Sequence, residues 1–206
     1  MQNPVEARGT FLATAASGVR LGTAIRVASV VLFAALTAAA AQVSIPLPFT
    51  PVPFTLQPMV VLLGGAVLGS RLGMSAQVLY LLAGIAGLPV FAASPVLPQG
   101  VLRLLGPTGG YLMSYPFAAF LTGWLAERGF DRRYLTSVIA MACGLGLIFA
   151  AGIVWLAFFA RSAVGLETAL RTGLYPFIPA DIFKIFLAAA VMPTAWRLVG
   201  RRMSNP

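Results

Sequence analysis

Asp181 and Lys184 stand three residues apart in the stretch Pro176-Phe177-Ile178-Pro179-Ala180-Asp181-Ile182-Phe183-Lys184, which opens the last apolar run of the chain. On a helix that spacing puts both side chains on one face, with Cβ atoms roughly 5–6 Å apart. Lys184 is the only lysine in the sequence. An acid and a base inside an apolar segment are costly unless they are paired or bound to something, so this pair is the first candidate site. Proline suits the first helical position, so a helix is predicted to start at Pro179. Asp181 then falls in its first turn, where the helix dipole favours an anion. The competing reading is a snorkelling pair that caps the helix end and binds nothing.

Much chemistry is excluded by what is missing. The sequence has no histidine, which removes His-based triads and most metal sites, so no metal centre and no cofactor are expected. A phosphate-binding P-loop needs a lysine after glycine, but Lys184 follows Phe183. An intramembrane aspartyl protease needs two carboxylates, and Asp181 is the only acid inside an apolar segment. A lysine–serine dyad lacks a serine near Lys184 in sequence. The chain is therefore read as a non-enzyme. The single Cys143 lies in an apolar run and says nothing about redox compartment.

These residues need a scaffold, and the composition specifies its kind. Hydrophobic residues make up 59% of the 206 and charged residues only 9%, against about 25% charged in a soluble domain. An all-α integral membrane protein is predicted, with a tail over 1–26, a membrane domain over 27–200 and a short tail over 201–206. The first segment, Ala24 to Gln42, also has the look of a secretory signal, with Ala38 to Gln42 as a cleavage site; the long tail before it argues against that. Ser44 to Phe54 carries Pro46, Pro48, Pro51 and Pro53, which exclude a regular helix. It is either a rigid connector or, with Phe49 and Phe54, a lid over a ligand. Thr55–Gly69 and Leu72–Gly87 are short, glycine-interrupted segments, a pattern that points to a binding site in transporters or to close helix packing. Gln77 and Tyr80 are polar positions in the second of these. A long connection from Leu88 to Pro107, containing Phe91 and Arg103, leads to segments at Gly110–Ala126, Leu135–Ala160 and Pro179–Val199. Arg161 to Ile178 reads as a mildly polar loop.

Six crossings place arginines unevenly. Arg8, Arg20, Arg26, Arg71, Arg128, Arg132, Arg133, Arg197, Arg201 and Arg202 fall on one side, and Arg103, Arg161 and Arg171 on the other. The positive-inside rule then makes both termini cytoplasmic. It accounts for the basic net charge without nucleic acid. Helices two, four and six consequently begin at the outer face, at Gln57-Pro58, Thr108-Gly109-Gly110 and Pro179-Ala180-Asp181. Their unpaired N–H groups are available there to an anionic or polar ligand. Gly109 and Gly110 are read as letting the backbone approach that ligand closely.

Four motifs together carry a resemblance to a known family. They are PFTPVPFTLQ ending at Gln57, GxxLGSRLGxxxQxxYLLxGxxGLPVFA over 65–92, GPTGGYLxxYPxAAFxxGxLAER over 106–128 and YPFIPADIFK over 175–184. In combination, over most of 30–200, the chain resembles BioY, the biotin-specific membrane subunit (S component) of energy-coupling factor (ECF) transporters. The segment Ser94–Leu104 is longer and richer in proline than the family pattern, and Pro179-Ala180 stands before the aspartate where a glycine is common. The resemblance implies a six-helix S-component fold in the bacterial cytoplasmic membrane and high-affinity biotin binding near the outer face. It also implies partners: a membrane coupling subunit, docked on alanines spaced by four in the first helix, and two cytoplasmic ATPases. Ala34/Ala38 and Ala35/Ala39 match that spacing, which in any helix permits close approach.

If biotin is the ligand, its ureido ring offers two N–H donors and one carbonyl acceptor. Asp181 then accepts from an N–H and Lys184 donates to the oxygen; in the alternative, Lys184 holds the carboxylate tail. In the first arrangement the tail goes to Arg103 or to the glycine-turn N–H groups. Gln57 completes the polar set, with Phe49, Phe54, Tyr80, Phe91 and Tyr111 as the apolar wall, in keeping with the mostly apolar lining of ligand pockets. The rivals are an S component for another vitamin, a proton-coupled secondary transporter with Asp181 as proton carrier, and a structural membrane subunit.

Overall fold

Apolar runs fold into helices here because a helix satisfies its own backbone, the condition for burying main chain in lipid. In the computed structural model, which describes residues 10–12, 22–93, 99–160 and 163–204, these helices are α1 (Thr23–Gln42), α2 (Gln57–Leu68), α3 (Ser70–Ile85), α4 (Val101–Leu104), α5 (Gly109–Ala126), α6 (Tyr134–Val154), α7 (Leu166–Gly173) and α8 (Ile178–Ser204). The last turn of α6 widens into a π-helix, Trp155–Phe159. Among the described residues, three helices are long and apolar enough to cross a membrane: α1, α6 with its π turn, and α8 to Leu198. Arg8, Arg20, Arg161 and the prolines Pro95 and Pro98 lie outside the described residues.

The proline-rich stretch is indeed not helical. Ser44–Ile45 (β1) pairs antiparallel with Phe54–Thr55 (β2), making a two-stranded hairpin whose tip holds the four prolines. The region from Arg161 to Ile178, read as a loop, contains the eight-residue helix α7. That helix is amphipathic, with Ala169 and Gly173 buried and Glu167 paired to Arg171 at 2.7 Å on the exposed side. Helix α8 starts at Ile178, one residue before the predicted Pro179, and Asp181 lies in its first turn.

Small residues set the spacing between helices. A Cβ on Gly65 would overlap the Ala119 carbonyl of α5, and one on Gly123 would overlap the backbone at Gly69 and Ser70. Gly69 joins α2 directly to α3 with φ of +86°, a conformation that glycine adopts readily. At this end the Ser70 N–H and hydroxyl both donate to Glu127 Oε1, at 2.8 and 2.9 Å, tying the start of α3 to the end of α5. The opposite end, where α2, α5 and α8 begin, is where the candidate site lies.

Candidate functional site

The N-termini of α2, α5 and α8 converge on one cavity. Gln57 and Pro58, Thr108, and Asp181 each contribute to its wall. It is partly open to solvent, and the unfilled space of about 670 Å³ around it includes that open solvent. The wall is mixed. Val52, Phe91, Leu145, Ile148, Phe149 and Phe177 supply apolar surface, while Thr55, Arg103, Tyr111, Tyr115 and Lys184 supply polar atoms.

Asp181 and Lys184 form a buried ion pair, Nζ to Oδ1 2.7 Å, with both side chains under a tenth exposed. The ammonium also donates to the Thr55 carbonyl at 2.6 Å and sits 3.5 Å from the centre of the Phe54 ring. Phe54 in turn stacks on Phe177. The lysine therefore clamps the base of the hairpin to α8, using two of the three hydrogens of an ammonium. Asp181 Oδ1 is the oxygen that accepts from Lys184, which leaves the carboxylate a second oxygen for a donor.

Arg103 is the second cation of the wall. It is 5% exposed, its Nη2 donates to the Ala92 carbonyl at 2.8 Å, and its Nε has no acceptor. Burial pushes the guanidinium below its ordinary pKa. Gln57 is fixed from behind: its Nε2 donates to the Tyr80 hydroxyl at 2.6 Å.

Asp181, Lys184, Gln57, Tyr111, Phe91 and Arg103 are thus brought together in the cavity wall. Five other candidates are placed elsewhere. Tyr80 stands behind Gln57, edge-on to Phe91 and beside Tyr115. Phe54 sits under the Lys184 ammonium, and Phe49 is 60% exposed at the hairpin tip. Gly109 and Gly110 are outside the wall, because their free side is filled by protein. A Cβ on Gly109 would overlap the Leu104 carbonyl, and one on Gly110 would overlap Trp155 and come within 2.6 Å of the Ala151 carbonyl. The pair serves the packing of α5 against α4 and α6, a role that has the same glycine signature as close approach to a ligand. Gly110→Leu is accordingly expected to lower folded yield and melting temperature together, since overpacking costs about 1–3 kcal/mol or more. An unchanged melting curve with lost ligand binding would return the glycines to the ligand.

Reading from residues alone named Thr108 only as part of a helix start and missed Thr55, Tyr115 and Phe177. Tyr115 was within reach: it lies four residues after Tyr111 and so on the same helix face. Thr55 takes part through its carbonyl, which no side-chain pattern reveals. On the first helix, Ala34 is 8% exposed and Ala38 half-buried, both packed toward the core, whereas Ala35 and Ala39 face outward. Of the four alanines, Ala35 and Ala39 are thus the pair on the outer face of α1.

An apolar helical bundle that encloses a small-molecule cavity, with helix N-termini and a buried ion pair turned into it, defines a substrate-binding membrane protein. The BioY family model matches residues 11–201, and the chain belongs to the BioY family. It is 42% identical over 174 residues to the probable biotin transporter BioY of Pyrococcus horikoshii, covering 84% of this chain and 96% of that one. It is 41% identical over 161 residues to the biotin transporter BioY of Thermotoga maritima, covering 78% and 89%. The crystal structure of the S-component for biotin from an ECF-type ABC transporter superposes with a TM-score of 0.74 at 27% identity, over 84% of this chain and 90% of that one.

Proposed function

We propose that this chain binds biotin in the cavity at the starts of α2, α5 and α8, as the substrate-specific subunit of an ECF-type transporter. The observation that carries the reading is the buried Asp181–Lys184 pair in the cavity of a chain whose relatives are named biotin transporters. The ureido ring lies against that pair. Asp181 accepts one N–H with its free oxygen, and Lys184 turns its remaining hydrogen to the carbonyl. The thioether ring packs on Phe91, Phe177 and Tyr115, and the carboxylate goes to Arg103. Helices α1, α2, α3, α5, α6 and α8 make up a six-helix bundle in the cytoplasmic membrane, the shorter ones packed among the three long spans, with both termini inside, as the arginine distribution supports. A membrane coupling subunit and two ATPases complete the transporter.

Titration of the purified chain with biotin and with biotin amide tests the assignment. A hydrogen bond to a charged group contributes about 1.5–3 kcal/mol, so Arg103→Met is expected to weaken biotin binding roughly ten- to a hundredfold. The uncharged amide is expected to bind the wild type more weakly than biotin by a similar factor and to lose little more on the variant. Equal losses of amide affinity on both proteins would place the carboxylate elsewhere. No biotin binding by the wild type would end the reading.

A further inference from the structure

The last carbonyls of a helix have no partner within it and must find donors elsewhere. At the end of α7 two consecutive carbonyls take hydroxyls from two different parts of the fold. Tyr111, in the cavity wall on α5, donates to the Gly173 carbonyl at 2.9 Å. Thr50, at the tip of the hairpin, donates to the Thr172 carbonyl at 2.6 Å. The Thr50 oxygen also accepts the Val52 N–H at 3.1 Å, which orients the hydroxyl outward to α7.

Leu47 and Val52 pack inward from the tip against the core, and its outer side has few other fastenings. The ladder at its base is two residue pairs long, and Phe49 is largely exposed. Its inner side, Val52 and Pro53, covers the cavity. Four prolines restrict the backbone between the strands, which stiffens the tip. Its base is held by Lys184 through the Thr55 carbonyl. The hairpin thus spans the cavity between two polar ties, Lys184 at the base and Thr50 at the tip. Thr50 itself does not line the cavity, so any effect it has on the ligand must pass through the tip.

We propose that Thr50 is the latch of a lid: its bond to the Thr172 carbonyl holds the hairpin tip on α7 and sets how fast bound ligand leaves. Thr50 is a positioning residue, and the inference rests on the biotin reading above. Loss of one uncharged hydrogen bond is worth a factor of several up to about tenfold. The protein is loaded with labelled biotin and chased with excess unlabelled biotin. Thr50→Val, which keeps the shape but removes donor and acceptor, is expected to speed release about five- to tenfold. The association rate and the melting temperature of the unliganded protein stay near the wild type, and Thr50→Ser restores slow release. If Thr50→Val folds poorly, Thr50→Ala is measured against the same expectation. Wild-type release from the folded Val or Ala variant, or release from Thr50→Ser as fast as from Thr50→Val, overturns the latch. So does a fall in unliganded stability that tracks the faster release. A wild-type protein that takes up no biotin overturns the ligand assignment instead, and the two failures are told apart by the loading step.

Discussion

Lys184→Met is expected to weaken biotin binding by roughly a hundredfold, and Asp181→Asn by roughly tenfold, in titrations of the purified chain. The magnitudes follow from about 1.5–3 kcal/mol for a hydrogen bond to a charged group. The order follows from the geometry. Asp181→Asn keeps an acceptor of nearly the same shape and leaves Lys184 bound to the Thr55 carbonyl and over Phe54. Lys184→Met removes three things at once: the donor to the ligand, the tie to the hairpin base and the cation beside a buried carboxylate. An isolated buried carboxylate tends to take a proton, which turns an acceptor toward the ureido N–H into a donor. Biotin amide supplies the control. Its loss relative to biotin is the same on wild type and Lys184→Met if the pair reads the ureido ring, and nearly vanishes on the variant if Lys184 holds the carboxylate. Normal biotin binding by both variants would reduce the pair to a helix cap.

What was legible in the sequence was whatever depends on local pattern. Four prolines between Ser44 and Phe54 rule out a helix wherever the segment lies, but not the β pairing that closes it, which depends on Ser44–Ile45 meeting Phe54–Thr55. Asp181 and Lys184 were paired by spacing alone, and the structure has them 2.7 Å apart. What was not legible depends on which neighbour fills a space. Gly109-Gly110 reads the same whether a ligand or Trp155 lies against it, and only the fold decides for Trp155. Tyr80 looked like a wall residue, but Gln57 stands between it and the cavity. Helix α7 was lost because two turns of amphipathic helix between polar residues resemble a loop when no tertiary partner is known; its buried Ala169 and Gly173 supply that partner.

The first helix shows the same limit and yields the other large effect. Ala34/Ala38 and Ala35/Ala39 have identical spacing, so the sequence could not say which pair turns outward. The structure buries Thr37 with Ala34 and Ala40, and the Thr37 hydroxyl accepts from Gln77 of α3 at 3.1 Å. Ala35 and Ala39 are left on the outer face beside the exposed Leu32 and Leu36. Small residues there let a second helix approach closely, and a bulky one would hold it off. Ala35→Trp with Ala39→Trp is therefore expected to abolish biotin uptake by cells while leaving biotin binding by the isolated chain within about twofold, well below the effect of one lost hydrogen bond to a charged group. Ala34→Trp, by contrast, is expected to lower folded yield, because its side chain enters the core. The measurements are transport of labelled biotin in cells and titration of purified protein, side by side. Full uptake by the double variant would mean that the outer face of α1 docks no partner, or that uptake needs none.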